Sequence, residues 1–321
     1  MNQTTLAINT FAEDVREGLL QTPKTLPSKY FYNEQGDKLF QTIMGLGEYY
    51  LTRCEFQIFE DQKQEILENF LGQDQQFRLV ELGAGDGTKT KVLLDHFLKT
   101  GVDFSYAPID ISQNVLDQLG NDLKKSMPAL QFEPIQGDYF HALADLNKVH
   151  DMKEVVLFLG SNIGNFSIEG GVKFLTQLGS NLSTGDMLLI GFDLMKNPQT
   201  ILNAYNDKMG VTREFNLNLL KRMNDELGAN FDLDKFKHFP TYNPINGETR
   251  SHLVSTEAQG VYIEALEESF HFVAWEAVHT EVSQKYSPEM IREFAEKAGF
   301  RVVHDFTDEC QYFVDSLWEK I

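Results

Sequence analysis

The stretch FRLVELGAGDGTKT, residues 77–90, determines the fold class of this chain. Its apolar half carries one acid, Glu81, and leads directly into Gly83, Gly85 and Gly87. The segment KVLLDHFLK, which has the pattern of a helix, follows at once. Glycine is required where a Cβ atom would block a tight turn or the approach of a ligand. The stretch therefore predicts a parallel strand, a ligand-binding loop and a helix.

Strand and helix patterns alternate through the middle of the chain. The predicted strands lie at residues 78–82, 105–110, 131–136, 154–159 and 187–192. The predicted helices lie at residues 89–98, 112–126, 141–146 and 170–182. This alternation is typical of a doubly wound parallel sheet, whose ligands bind at the carboxyl ends of its strands.

The alternation is interrupted after residue 192. Residues 198–227 have a helical pattern with polar connections, and antiparallel strands are predicted at residues 251–256, 261–264 and 270–274. The α/β pattern resumes at Ser287, which precedes a proline suited to the first helical position, and ends with a predicted strand pair at residues 301–307 and 311–319. We therefore expect two domains. A cofactor-binding α/β domain comprises residues 60–196 plus 287–321, and an α+β substrate-binding domain comprises residues 1–59 plus 197–286.

Composition limits the class of partner. The chain has 321 residues and a formal net charge of −20, which argues against nucleic acid or anionic membrane as a ligand. Cys54 and Cys310 are too few for a disulfide framework or a metal cluster, so we expect no metal. The N-terminus is too polar for a signal peptide, and no apolar run could span a bilayer. We expect a cytoplasmic monomer that acts on a small molecule.

The residues after the glycines discriminate between cofactors. Thr88 occupies the place of the third glycine in the nicotinamide pattern GxGxxG. Asp110 ends the second predicted strand, where an acid can bind the ribose hydroxyls, and Gly137-Asp138 follows the third strand. Together these features resemble the class I methyltransferases that use S-adenosylmethionine (SAM), with their Rossmann-like doubly wound sheet. Lys89 could then bind the methionyl carboxylate, and a nicotinamide-dependent oxidoreductase remains the alternative from another class.

A second polar loop, FLGSNIGNF, follows the fourth predicted strand at residues 158–166. It places Gly160 and Asn165 at the carboxyl edge of the sheet, where an asparagine can donate to a carboxylate and accept from an amine. The alternative for such a segment is a turn built by glycine and asparagine.

Five blocks in this order extend the resemblance. They are LPSKYFYNEQGDKLFQTIMGLGEYYLTRCE (26–55), VELGAGDGTKT (80–90), FLGSNIGNF (158–166), AYNDKMGVTREFN (204–216) and HTEVSQKYS (279–287). The chain resembles the histidine-specific methyltransferases of ergothioneine biosynthesis, which trimethylate the α-amine of L-histidine to hercynine.

That resemblance implies a role for each matching residue. SAM would be bound by Gly83, Gly85, Lys89, Asp110, Gly137 and Asp138. The backbone groups of the amino acid would be held by Tyr49, Gly160, Asn165 and Tyr205, with Tyr32 and Phe40 beside the amine and the ring. Glu281 and Ser283 would bind the imidazole, and Tyr32 and Asn165 would assist the chemistry.

The chemistry of these residues agrees with the resemblance. Alternate residues of an extended segment point to one face, so Glu281 and Ser283 can bond to both ring nitrogens of histidine. If the segment were helical, Glu281 would instead form a surface pair with Lys285. The amine must reach the site deprotonated, with Tyr32 or a water taking the proton.

Three residues depart from what we expect of the family. They are Asn162 in the polar loop, and His252 and Leu253 in a strand where the family tends to have acidic and methionine side chains beside the ring pocket. Methylation of another aromatic amino acid or amine is therefore the second hypothesis within the same chemistry.

Overall fold

The computed structural model describes residues 3–74, 76–137, 139–140 and 152–321. Its helices are α1 (Gln3–Leu20), α2 (Glu34–Met44), α3 (Leu51–Leu71), α4 (Thr90–Thr100), α5 (Gln113–Ser126), α6 (Ile168–Gly179), α7 (Pro198–Ala204), α8 (Val211–Leu227) and α9 (Pro288–Ala298). Its first six strands are β1 (Gln76–Leu82), β2 (Asp103–Asp110), β3 (Gln131–Phe132), β4 (Ile135–Gln136), β5 (Glu154–Phe158) and β6 (Met187–Asp193). The other strands are β7 (Phe236–Asn243), β8 (Glu248–Ser255), β9 (Gln259–Ile263), β10 (Glu268–Phe272), β11 (Ala277–Gln284), β12 (Phe300–Thr307) and β13 (Phe313–Lys320). Asp138 and the predicted helix at 141–146 lie outside the described residues.

The described residues form two compact units. The sheet unit consists of the described parts of Leu51–Met195 together with Gln284–Ile321. The insertion unit consists of the described residues up to Tyr50 together with Lys196–Ser283. The first boundary lies nine residues before the predicted one, because α3 continues without a break across residue 60.

The sheet unit has a mainly parallel sheet with the order β12-β13-β6-β5-β1-β2-β3, and β4 also pairs with β2. Strands β1, β2, β5 and β6 run parallel, whereas β13 lies antiparallel between β6 and β12. The predicted doubly wound sheet and its antiparallel ending are therefore confirmed. The predicted third strand is split into β3 and β4 around Pro134, which has no backbone N–H to donate to a neighbouring strand.

The insertion unit combines α1, α2, α7 and α8 with two small antiparallel sheets, β11-β8-β7 and β10-β9. The predicted helical pattern with polar connections at 198–227 forms two helices, and a connection lies between α7 and α8. There Asp207 accepts hydrogen bonds from the backbone of Val211 (2.9 Å) and Thr212 (2.8 Å), and Gly210 adopts a φ of +76°. A side-chain cap and a left-handed glycine begin a new helix at this point.

The segment with Glu281 and Ser283 is extended, as predicted, because it forms β11. The helical alternative is thereby excluded. Lys285 has an ion-pair partner within the sheet unit. Its Nζ lies 2.8 Å from the Asp193 carboxylate, in an ion pair with no solvent exposure within the sheet unit.

Candidate active site

The carboxyl ends of β1, β2 and β4 meet at one edge of the sheet. Gly83 N donates to the Ile109 carbonyl over 2.9 Å, and Gly137 N donates to the Asp110 carbonyl over 3.1 Å. Three residues predicted to bind the cofactor, Gly83, Asp110 and Gly137, are therefore neighbours through backbone hydrogen bonds.

The glycine loop after β1 needs its glycines for backbone geometry. Gly83, Gly85 and Gly87 have φ values of +70°, +55° and +64°, a region that other residues rarely adopt. A Cβ atom on Gly83 would lie 2.8 Å from the Tyr139 hydroxyl, whereas a Cβ on Gly85 or Gly137 would meet no atom of the described residues within 4 Å. The loop thus leaves open space beside Asp110.

This edge offers the groups that SAM requires. The Asp110 carboxylate is half-buried and accepts from Ser112 N over 2.8 Å, which fixes it at the end of β2. A carboxylate suits a ribose diol, glycine backbone suits close approach, and the Lys89 ammonium suits the methionyl carboxylate. The described residues therefore fit SAM.

Lys89 forms an ion pair with Glu55 of α3. The other carboxylate oxygen of Glu55 accepts from Gly160 N over 2.7 Å. Burial opposes the positive charge on Lys89, but the facing Glu55 carboxylate outweighs it and raises the pKa of the ammonium. The sequence prediction missed Glu55, although an acid on the apolar stripe of α3, between Leu51 and Ile58, was a usable signal.

Glu81, the acid of β1, is buried beneath the same loop. Thr90 Oγ1 donates to it over 2.7 Å, and the Tyr106 hydroxyl donates to its other oxygen. Burial raises the pKa of the Glu81 carboxyl to about 7, although both hydrogen bonds act in the opposite direction. Glu81 is therefore half-protonated near neutral pH.

The polar loop after β5 is held in shape from within the sheet unit. Gly160 and Ser161 have φ values of +74° and +55°. Ser161 Oγ accepts from Asp193 N over 3.1 Å, and a Cβ on Gly164 would lie 2.9 Å from the Gln284 carbonyl oxygen. Asn162 and Asn165 follow in a short 3₁₀ turn, Asn162–Asn165, and are exposed.

In the insertion unit, Tyr32, Tyr205, Glu281 and Ser283 lie together. The Tyr205 hydroxyl donates to Ser283 Oγ over 2.8 Å, and both residues are buried. Enclosure by protein atoms raises the pKa of the Tyr32 phenol above its ordinary value, and the negative charge of Glu281 raises it further. Tyr32 is therefore protonated at neutral pH, even though 43% of its surface is exposed.

Aromatic rings surround Tyr32. Its ring centroid lies 5.7 Å from that of Phe40 and 5.7 Å from that of Phe215, and Phe40 lies 6.3 Å from Tyr49. The sequence prediction named three of these four rings and missed Phe215, although it lies within the matching block at 204–216. Such a group can stabilise a quaternary ammonium by cation–π contact.

Helix α8 fixes the backbone that carries Tyr32. Arg222 Nη1 donates to the carbonyl oxygens of Tyr30 and Tyr32, each over 3.1 Å. Asn218 Nδ2 donates to the Asn33 side chain over 2.9 Å, and Asn33 in turn caps α2. The phenol is thus positioned by two buried or half-buried side chains of one helix.

His252 and Leu253, two of the residues that differ from what we expect of the family, lie on opposite faces of β8. Leu253 is fully buried in the apolar core of the insertion unit. The His252 ring lies 5.6 Å from the ring of His279, which shares a face of β11 with Glu281 and Ser283. Of these two residues, His252 is therefore the one on the same side of the sheet as the predicted histidine pocket.

The sheet order and the glycine and acid groups at its carboxyl edge define a class I SAM-dependent methyltransferase. The solved structure of mitomycin 7-O-methyltransferase has the same fold, with a TM-score of 0.50 at 13% identity over 100% of this chain and 69% of that one. The family model of the histidine-specific, SAM-dependent methyltransferases matches residues 11–320, and the chain belongs to this family. SAM is therefore its cofactor, and the nicotinamide alternative is excluded.

Three relatives show the range of the similarity. The histidine N-alpha-methyltransferase of Mycolicibacterium smegmatis is 38% identical over 97% of this chain and 95% of its own length. The ergothioneine biosynthesis protein 1 of Schizosaccharomyces pombe is 30% identical over 88% of this chain and 37% of its own length. The L-tryptophan methyltransferase of Psilocybe serbica is 27% identical over 94% of this chain and 91% of its own length.

Two features are absent from the described ranges. No group of three or more His, Cys, Asp or Glu side chains there is arranged to hold a metal ion. Within the same ranges, no helix is both long and apolar enough to cross a membrane.

Proposed function

We propose that this enzyme transfers three methyl groups from SAM to the α-amine of L-histidine, giving hercynine in the first step of ergothioneine biosynthesis. The observation that carries the proposal is the array of Glu281, Ser283 and Tyr205 in the insertion unit. Family membership and the Mycolicibacterium relative support the same substrate. The name of the Schizosaccharomyces relative supports the pathway.

The array fits an imidazole. A carboxylate can accept from one ring N–H, and a hydroxyl can bond to the other ring nitrogen. Ser283 Oγ accepts from the Tyr205 hydroxyl, and a serine hydroxyl that accepts one hydrogen bond can donate another to an unprotonated ring nitrogen. A site built for two such bonds disfavours a ring that leaves one of them unmade.

We assign the sheet unit to SAM and the insertion unit to the amino acid. When bound, SAM would supply a methyl group on a sulfonium to an amine held in line with the C–S bond, and that bond would break as the C–N bond forms, leaving the neutral thioether. Gly83, Gly85, Asp110, Gly137 and Lys89 would hold the cofactor, and Asp138 completes this prediction from the sequence. Gly160, Asn165, Tyr49 and Tyr205 are assigned to the backbone groups of the amino acid, as the resemblance implies.

The phenol of Tyr32 is assigned to orientation. A protonated phenol can hydrogen-bond to the amine but does not remove its proton, so we assign the proton to water. As methyl groups accumulate, the amine becomes a fixed cation, and the rings of Tyr32, Phe40, Tyr49 and Phe215 can stabilise it.

Mass spectrometry of L-histidine incubated with SAM and the protein tests the proposal. We expect products with one, two and three added methyl groups, and the trimethylated product at the end of the reaction. L-Tryptophan is the matched competitor, because one relative carries that substrate in its name. Methylation of tryptophan without methylation of histidine would replace the proposal with the second hypothesis.

Two further parts of the proposal concern the protein in solution and in the cell. We propose a monomer in the cytoplasm, since the substrate and the cofactor are small molecules. Size-exclusion chromatography with light scattering and fractionation of the source cells test these statements. A stable dimer, or recovery in a secreted fraction, would contradict them.

A further inference from the structure

Glu55 is unusual among the residues of α3 because it is a fully buried acid on an apolar stripe. One oxygen accepts from Gly160 N, and the other contacts the Lys89 ammonium. Gly160 begins the polar loop after β5, and Lys89 follows the glycine loop after β1. A single carboxylate therefore joins the two loops that the proposed function assigns to substrate and cofactor.

A second buried acid, Asp315 of β13, faces Glu55. Asp315 has no solvent exposure and lies opposite Gly191 of β6, whose Cα is close to a Glu55 oxygen. Neither Asp315 oxygen has a hydrogen-bond partner within the described part of the chain. Burial without a hydrogen-bond donor disfavours the ionised carboxylate, and the neighbouring Glu55 charge disfavours it further, so the protonated form of Asp315 is favoured.

The neighbouring charges agree with that assignment. Burial, followed by the negative charge of Glu55, raises the pKa of Asp315 well above its usual range, and only Lys89 acts in the other direction. Glu81 of β1 is the other titratable group that acts on Lys89 and Glu55. A protonated Asp315 leaves one negative charge on Glu55 to balance the one positive charge on Lys89.

We propose that Glu55 is a positioning residue of this methyltransferase and that its single negative charge holds Lys89 and the Gly160 loop in place. Asp315 stays protonated, so that Glu55 and Asp315 together carry only one negative charge. This inference rests on the proposed function, because Lys89 is assigned there to the methionyl carboxylate.

The test compares E55Q, D315N and the double variant, with E60Q as the control for an exposed acid on the same helix. Affinity for S-adenosylhomocysteine (SAH), the product of SAM, is measured by titration calorimetry. D315N should bind SAH within about threefold of wild type, because a neutral amide replaces a neutral carboxyl beside Glu55. E55Q should bind about tenfold more weakly, because Asp315 then loses its proton and partly replaces the lost charge.

The double variant distinguishes charge balance from packing. With neither carboxylate present, Lys89 has lost both of its facing acids, and SAH affinity should fall by about a hundredfold or more. This loss of binding free energy would exceed the sum of the losses in the two single variants, and it would show that Glu55 and Asp315 are directly coupled. Additive effects, a D315N loss equal to that of E55Q, or an E55Q protein with wild-type affinity would each overturn the inference.

A kinetic measurement separates positioning from general damage. In E55Q the KM for SAM should rise while the KM for histidine stays near wild type, since the glutamine oxygen still accepts from Gly160 N. Equal changes in both constants would contradict the assigned role.

Infrared spectroscopy covers the case in which E55Q fails to fold. At about pH 9, where Glu81 is ionised, wild type should show a protonated-carboxyl band that D315N lacks. Absence of that band in wild type would overturn the inference. Failure of wild type itself to bind SAH or methylate histidine would instead count against the proposed function.

Discussion

The substrate assignment rests on two side chains of strand β11, Glu281 and Ser283. Glu281 also acts on Tyr32 through its charge, so one carboxylate influences both the ring side and the amine side of the proposed pocket. Its replacement should therefore affect the amino acid much more than the cofactor.

Glu281→Gln keeps the shape of the side chain and removes its charge. A hydrogen bond to a charged group contributes about 1.5–3 kcal/mol, so histidine affinity should fall roughly tenfold to a hundredfold. Titration calorimetry with SAH present measures this loss, and SAH affinity alone should change by less than about threefold. Glu264→Gln, which changes another acid of the insertion unit, is the control. Equal losses of affinity for histidine and for SAH would contradict the assignment of Glu281 to the amino-acid site.

Glu81 predicts how stability depends on pH. Its pKa is raised from 4.5 to about 7 in the folded protein, so the folded state binds more protons than the unfolded state between these values. The free energy of unfolding should therefore fall as pH rises from about 4.5 to 7, by up to about 3 kcal/mol, and the loss is complete above pH 7.

Urea unfolding of Glu81→Gln at several pH values checks this slope. The variant lacks the titrating group, so its free energy of unfolding should fall less than that of wild type over the same range. Glu68→Gln, at an exposed position on α3, should keep the wild-type slope. A Glu81→Gln slope identical to wild type would contradict the prediction.

The sequence predicted residues with a local signal and missed residues without one. The glycines of the first loop follow from spacing along the chain, whereas the pair on β11 follows from the resemblance to the histidine-specific family. Asp315 lies in the strand segment FVDSLWEK, and nothing near it in sequence indicates that Glu55 is its neighbour. Only the sheet order, with β13 beside β6, brings the two acids together.

At the scale of elements, the start of α2 depends on one glycine. A Cβ atom on Gly36 would lie 1.8 Å from the Phe31 carbonyl oxygen, and backbone cannot yield as a flexible side chain can. Phe31 directly precedes Tyr32, so a shift here moves a residue of the proposed pocket.

Gly36→Ala should destabilise the protein by about 2–3 kcal/mol through overpacking, and it should weaken histidine binding as well. Gly47→Ala is the matched control, because a Cβ there meets no described atom within 4 Å. Urea unfolding of both variants decides the point. Equal stability of the two would show that the α2 start tolerates a side chain.

Most element types were predictable because their apolar patterns have a clear period. The break between α7 and α8 was predicted only as a polar connection somewhere within residues 198–227, without its position. The cap formed by Asp207 decided the structure there, and its hydrogen bonds are not visible in the periodicity.

At the scale of the whole molecule, the net charge of −20 distinguishes the two forms of the cofactor. SAM carries one more positive charge than SAH, while the rest of the two molecules is alike. The long-range field of the protein should therefore favour the substrate form over its product.

Raising the salt concentration from about 0.05 M to 0.5 M screens this field, so the affinity for SAM should fall about threefold more than that for SAH. Calorimetric titration of both ligands at each salt concentration measures the ratio, and SAH serves as the matched control ligand. A parallel salt dependence of the two affinities would contradict the prediction.

The position of β13 has a consequence for synthesis on the ribosome. Strand β6 is buried along its whole length, and its partner β13 follows it about 120 residues later in the chain. At roughly 5–20 residues per second, the nascent polypeptide presents an open apolar strand edge for about 6–24 s. Such an edge is a template for pairing with other chains. We therefore expect translation speed and ribosome-associated chaperones to affect the yield of folded enzyme, because they act before β13 has paired with β6.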